Sequence, residues 1–235
     1  NIHLTKVDSE YPDNKLTGAT FEVYKDSNAN GKLDDGDELL GTLTEKEKGE
    51  YSMNDLFYGR YFVKETKAPE GFVLYTGVYE VMIDTNGKTY EVENKAGVGF
   101  INEAMRGNLK IVKTSSDGKV KGFAFRITGA NGYDIILETN DKGEIFIGGL
   151  RIGDYTISEV SNSASSMYVL PADKKATVKL GSTTIVEMHN VLRDTPKTGD
   201  TTNLPLLYAL AGLSAVGIAV CGVIGFKKKK KEDRN

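Results

Sequence analysis

The sequence predicts an all-β protein: two tandem β-sandwiches followed by one C-terminal membrane-spanning helix. Short segments that alternate apolar and polar residues recur through 1–193, separated by Gly, Asn and Asp. Their pattern runs twice, which implies tandem copies of one fold. A charge-free apolar run over 204–226 then precedes five lysines, Lys227 to Lys231.

Composition agrees with strands and turns. The 235 residues include 26 Gly and 12 Tyr but no Trp, with Thr and Val abundant. A net charge of -3 argues against a nucleic-acid partner. The single cysteine, Cys221, cannot form an internal disulfide, so a secreted module here needs another kind of stabilisation. His3 and His189 are the only histidines, each on the strand face opposite the apolar one. No triad, phosphate loop or zinc spacing stands out, so no turnover chemistry is expected. The chain opens in a strand at Asn1-Ile2-His3-Leu4, without Met or a signal peptide, and reads as a fragment or processed chain with domains upstream.

The strands can be placed one by one. Thr20-Phe21-Glu22-Val23-Tyr24, Tyr61-Phe62-Val63-Lys64-Glu65, Glu144-Ile145-Phe146-Ile147 and Asp154-Tyr155-Thr156-Ile157-Ser158-Glu159 alternate as half-buried strands do. Asn86-Gly87 predicts a type I′ hairpin turn between strands over 79–84 and 88–92. Across the repeat, Ile2-His3-Leu4-Thr5-Lys6 matches Leu109-Lys110-Ile111-Val112-Lys113. Gly59-Arg60-Tyr61-Phe62-Val63-Lys64-Glu65 matches Gly153-Asp154-Tyr155-Thr156-Ile157-Ser158-Glu159, and Phe100-Ile101-Asn102 matches Met188-His189-Asn190. Domains are therefore expected over 1–104 and 105–193, followed by a 194–235 tail with a stalk, a span over 204–226 and a basic end over 227–235.

Six polar residues fall on the apolar side of their strands. Lys6 shares a face with Ile2 and Leu4, and Lys113 with Leu109 and Ile111. Glu65 follows Tyr61 and Val63; Glu159 follows Tyr155 and Ile157. Asn102 follows Val98 and Phe100, and Asn190 follows Val186 and Met188. Burial there is expensive unless the groups pair or react. The plainer alternative places them at strand ends near the rim, exposed or in salt bridges. Asn94, on the face of Tyr90 and Val92, competes with Asn102 as the partner of Lys6.

The repeat and its Glu65-Thr66-Lys67-Ala68-Pro69-Glu70-Gly71-Phe72 segment, similar to an E-box, resemble the Cna B-type, or SpaA-like prealbumin-fold, domains of Gram-positive adhesins and pilins. The second copy departs from the motif after Glu159. The resemblance implies Ig-like sandwiches in which a buried lysine attacks an asparagine amide, linking the first strand to the last. It assigns cross-links from Lys6 to Asn102 and from Lys113 to Asn190, with Glu65 and Glu159 as the catalytic acids. An apolar site suits both partners, since burial lowers a lysine pKa and raises a glutamate pKa.

Thr195-Pro196-Lys197-Thr198-Gly199 resembles the LPxTG signal of sortase substrates, with Thr in place of the first Leu. The order of signal, apolar span and basic tail matches as well. The resemblance implies cleavage between Thr198 and Gly199 and covalent transfer to peptidoglycan or another pilin, after a transient membrane-anchored stage. Read without the signal, the same tail is a simple membrane anchor.

Residues 26–38 carry oxygen side chains at calcium-loop spacing: Asp26, Asn28, Asn30, Asp34 and Asp37, with Lys32 offering its carbonyl and Gly31 at the sharp turn. The alternative is a polar turn that binds nothing. No other cofactor is expected.

Together these features describe a cell-wall-anchored stalk, accessory pilin or adhesin segment of a Gram-positive surface, with a host or cell-surface ligand bound by a region upstream. A pilus backbone subunit is one alternative, although Tyr11-Pro12-Asp13-Asn14 lacks a pilin-motif lysine. Others are the spacer of an anchored surface enzyme and a module whose own loops bind host matrix.

Overall fold

A computed structural model of the chain describes residues 1–194. The segment from Thr195 to Gly199 expected to be a sorting signal and the apolar run over 204–226 expected to span a membrane lie outside the described residues. Among the described residues, no helix is long and apolar enough to cross a membrane.

The first module contains β1 (Ile2–Asp8), β2 (Thr20–Lys25), β3 (Glu38–Thr42), β4 (Thr44–Glu47), β5 (Glu50–Met53), β6 (Gly59–Lys67), β7 (Val78–Ile83), β8 (Tyr90–Glu91) and β9 (Phe100–Asn102). The second contains β10 (Arg106–Ser115), β11 (Ala124–Thr128), β12 (Asp134–Glu138), β13 (Glu144–Arg151), β14 (Gly153–Val160), β15 (Tyr168–Val169), β16 (Lys174–Val178) and β17 (Thr183–Leu192). A 3-10 turn at Ala130–Gly132 is the one helical element among the described residues.

Each module packs two sheets face to face. The first has the orders β4-β5-β1-β8, with β9 also on β1, and β3-β2-β6-β7. The second has β13-β10-β17-β15 and β12-β11-β14-β16. Matched positions of the repeat supply both cores. Phe21, Val23, Tyr61, Val63 and Phe100 are buried in the first module; Phe125, Ile127, Tyr155, Ile157 and Met188 take their places in the second. Both tyrosines donate their hydroxyls to the carbonyl four residues back, Phe57 at 2.8 Å and Arg151 at 2.9 Å. An aromatic body can thus be buried with its polar end satisfied.

The first and last strands of each module are neighbours and run parallel. In β1 and β9, Lys6 stands opposite Phe100; in β10 and β17, Lys113 stands opposite Met188. In both pairs the asparagine lies two residues further along the partner strand. A two-residue step returns to the same sheet face, so lysine and asparagine both point into the core.

The hairpin expected at Asn86-Gly87 does not form. Gly87 does adopt a positive φ of 74°, but β7 pairs with β6 in one sheet and β8 pairs with β1 in the other. The edge of β1 captures the returning chain: Tyr90 N–H donates to Asn1 O and Val92 N–H to His3 O. Val92 is then buried in the core from the opposite sheet. The Tyr90 hydroxyl, which accepts from the Asp84 and Thr85 N–H groups at 3.1 Å, closes the crossing.

Candidate functional site

The structure brings Lys6, Glu65 and Asn102 together inside the first sandwich. Their exposures are 0%, 1% and 2%. Strand alternation on β1, β6 and β9 aims each one inward between Phe21, Phe100 and neighbouring apolar side chains. Lys6 Nζ donates to Asn102 Oδ1 and to the Phe100 carbonyl. Asn102 Nδ2 donates to Glu65 Oε1 at 3.1 Å and Oε2 at 2.9 Å, and to the Val73 carbonyl at 2.8 Å. Lys6 Nζ and Glu65 Oε1 are 3.9 Å apart.

Burial sets the electrostatics. It lowers the Lys6 pKa to about 8, against the opposing pull of the Glu65 and Asp8 charges. It also raises the Glu65 pKa, opposed by the Tyr75 N–H, Asn102 and Lys6. Both shifts favour the neutral forms, an amine and a carboxylic acid flanking one amide. That arrangement suits nucleophilic attack at Asn102 Cγ with proton transfer through Glu65.

The rival Asn94 faces elsewhere. Its Nδ2 donates to the Ile101 carbonyl at 2.9 Å, and its Oδ1 accepts the Ile101 N–H at 2.6 Å, so it clamps the backbone of β9.

In the second module Lys113, Glu159 and Asn190 are likewise buried, at 1%, 8% and 0% exposure. Asn190 Nδ2 donates to Glu159 Oε1 at 2.6 Å. Lys113 Nζ instead donates to the Thr114 carbonyl and lies 4.2 Å from the Phe123 ring centroid. Glu159 Oε2 and Asn190 Oδ1 are buried without a hydrogen-bond partner among the described residues. Burial again lowers the lysine pKa and raises that of the glutamate.

The Asp26 loop folds on its own hydrogen bonds. Asp26 accepts the N–H groups of Asn30 and Gly31, both at 3.1 Å, and the Arg60 guanidinium approaches it at 3.4 Å. Asn28 Nδ2 and Asn30 Nδ2 donate to Asp34 at 3.0 and 2.5 Å, and Asp37 accepts the N–H groups of Ser27 and Asp34. Lys32 N–H donates to Asn30 Oδ1 at 2.8 Å. Among the described residues, no three Asp, Glu, His or Cys side chains gather closely enough to hold a metal.

Sequence reasoning missed a further charged cluster between the modules. Arg151 grips Asp8 with two N–H donors, at 2.6 and 2.7 Å, and reaches Glu10 at 2.5 and 2.9 Å. Arg106 also pairs with Glu10. The signal was there: Asp8 continues the inward face of Ile2, Leu4 and Lys6.

Two stacked-sheet modules, each with a buried lysine on its first strand, an asparagine on its last and a glutamate from the facing sheet, define a prealbumin-type fold. The chain belongs to the SpaA family of prealbumin-like fold domains, whose model matches residues 1–96 and 107–191. Among solved structures, the Bacillus anthracis TIE protein is 25% identical over 80% of this chain, with a TM-score of 0.60. This chain spans about a third of that protein's length, at 33%. GBS52, the minor pilin of Streptococcus agalactiae, is 19% identical over 83% of this chain and 97% of its own, with a TM-score of 0.39. The pilus adhesin SpaC of Lactobacillus rhamnosus GG is 13% identical over 81% of this chain and 31% of its own, with a TM-score of 0.49. No curated protein matches the sequence.

Proposed function

We propose that this chain is a wall-anchored structural stalk, accessory pilin or adhesin segment of a Gram-positive cell surface that cross-links each of its two modules with a lysine-asparagine isopeptide bond. The observation that carries this reading is the contact of Lys6 Nζ with the Asn102 amide, backed by Glu65, in a wholly buried site.

The neutral Lys6 amine attacks Asn102 Cγ. An Nζ–Cγ bond forms and the Cγ–Nδ2 bond breaks. Glu65 relays a proton from Nζ to Nδ2, and ammonia leaves. Nothing is oxidised or reduced, and Glu65 ends as it began. The pocket lined by Val73, Leu74, Tyr75, Ile101 and Asn102 gives the ammonia a path outward. The reaction happens once per module and is not turnover. Lys113, Asn190 and Glu159 take the same roles in the second module.

Attachment rests on the sequence of the tail. A sortase would cleave between Thr198 and Gly199 and join Thr198 to a peptidoglycan or pilin amine, leaving both modules outside the cell. Thiol chemistry is not needed for such a stalk, in keeping with its single cysteine.

Intact mass of the purified chain tests the cross-links directly. We expect a deficit of two ammonia molecules, with peptides joining Lys6 to Asn102 and Lys113 to Asn190 after digestion. A mass equal to the sequence mass would falsify the cross-links. Incubation with sortase and an amine tests the attachment: we expect a product whose Thr198 carboxyl is joined to the amine, with the peptide beginning at Gly199 released, and an uncleaved chain rejects it.

A further inference from the structure

The two sites carry the same three residue types in the same strand register, yet their atoms are arranged differently. In the first, lysine, amide and carboxyl form a continuous chain of contacts. In the second, the lysine turns to its neighbour's carbonyl, and one oxygen each of Glu159 and Asn190 stays unpartnered among the described residues.

A structural difference accompanies this contrast. After β6, residues 71–75 cross the first site as a strap. The Val73 carbonyl accepts Asn102 Nδ2 at 2.8 Å, and the Tyr75 N–H donates to Glu65 Oε2 at 2.7 Å. The Tyr75 ring packs edge-on to Phe100, 5.2 Å between centroids, and Phe100 is the residue opposite Lys6. In the second module β14 leads instead into a serine-rich loop closed on itself through Asn162 and Ser165. The backbone groups that hold the glutamate and the asparagine of the first site therefore have no counterpart around Glu159 and Asn190 among the described residues.

The strap is itself held from outside its module. Val73 N–H donates to the Glu103 carbonyl, and Met105 N–H to the Gly71 carbonyl, both at 2.8 Å; Phe72 bridges to Ala104. Residues 103–105 join the two modules. Met105 in turn accepts the Ile152 N–H at 3.0 Å. Beside Ile152, the Arg151 guanidinium lies 5.8 Å from the Phe72 ring and 4.9 Å from the Tyr11 ring while gripping Asp8. Asp8 lies on β1, two residues past Lys6.

We propose that residues 71–75 are a positioning strap for the bond between Lys6 and Asn102, and that Arg151 of the second module is the positioning residue that seats it. Docking of the second module then completes the site of the first. This inference rests on the isopeptide reading. Its physical basis is orientation: displacing reacting groups by about 1 Å can slow a reaction roughly a hundredfold. The second site, without a strap, must find its reactive geometry by fluctuation.

The test compares the full chain with Arg151→Ala, Arg151→Lys and Val73→Pro variants made by cell-free synthesis. Samples are quenched in denaturant at intervals, digested, and both cross-linked peptides are counted by mass spectrometry. In the unaltered chain the first bond should form about tenfold or more faster than the second. Arg151→Ala should slow the first bond by about tenfold and leave the second within about twofold, and Arg151→Lys should recover part of the loss. Val73→Pro, which removes the N–H bound to Glu103 and leaves Arg151 intact, should slow the first bond alone. A first bond formed equally fast in all four chains overturns the positioning role and leaves the cross-links standing. Equal slowing of both bonds overturns it too, because general destabilisation would then suffice. If neither bond forms in the unaltered chain, the isopeptide reading falls and this inference with it.

Discussion

Asp8 and Arg151 join the two modules through a two-pronged ion pair whose carboxylate is wholly buried, at 2.6 and 2.7 Å. Removing one partner of a fully buried pair costs about 3–5 kcal/mol. Arg151 keeps 14% exposure and retains Glu10, so Asp8→Asn should cost less, about 2–3 kcal/mol. Urea titration checks the magnitude. Heteronuclear relaxation should also show the modules tumbling with more independence; unchanged relaxation would remove the pair's role at the joint.

Lys6→Met deletes the nucleophile and fills its space without leaving a buried charge. The closed loop spans about 100 residues, so the lost cross-link should lower stability by about 4–5 kcal/mol. One ammonia mass should return. A variant that melts with the unaltered chain would show that the bond adds nothing to equilibrium stability.

Glu65→Gln keeps the shape of the site but removes its ionisable proton. Lys6 and Asn102 should stay adjacent and unreacted, with the Lys113 bond unaffected. Acid-base groups of this kind contribute roughly 10²–10⁴-fold, so cross-linking over the same interval should be nearly absent. Normal cross-linking in this variant would exclude Glu65 as the proton carrier.

The pH dependence follows from the directions of the two shifts. Reaction needs a neutral Lys6, brought to about 8 by burial, and a protonated Glu65, whose pKa burial raises. The pair must hold a single proton, and that proton must sit on the carboxyl. On the acid side the amine takes up a second proton; on the alkaline side the carboxyl loses its own. Cross-linking rate should therefore be bell-shaped in pH, with limbs belonging to the coupled pair and not to either residue alone. A rate independent of pH from 5 to 10 would count against this acid-base pairing.

Calcium at the Asp26 loop must compete with Arg60 and with the amide donors already on Asp34. Binding should therefore be weak, in the range of about 10⁻⁴–10⁻³ M seen for extracellular modules. Melting temperature should rise at millimolar calcium and less so in Asp34→Asn. No rise at that concentration removes the site.

The residues of the candidate site stood out in the sequence because strand alternation is strict. A lysine two steps beyond Ile2 and Leu4 has nowhere to go but inward, and the repeat provided a second reading of each position. Asp8 obeys the same alternation, but its partner Arg151 lies in the other module, and no local pattern announces a pairing across that distance. The strap was illegible for a related reason: Val73 and Tyr75 act through backbone groups, which side-chain identity does not encode. Asn86-Gly87 misled in the opposite way. Its local turn chemistry is satisfied, but the open edge of β1 decided which strand came next.

The parallel pairing of first and last strands has a geometric consequence. β1 brings the chain in at one end of its sandwich and β9 carries it out at the other; β10 and β17 do the same. Antiparallel end strands would return the chain to its starting pole and leave each module hanging sideways. Here the chain enters and leaves each module at opposite poles, so one copy can follow another without the chain doubling back.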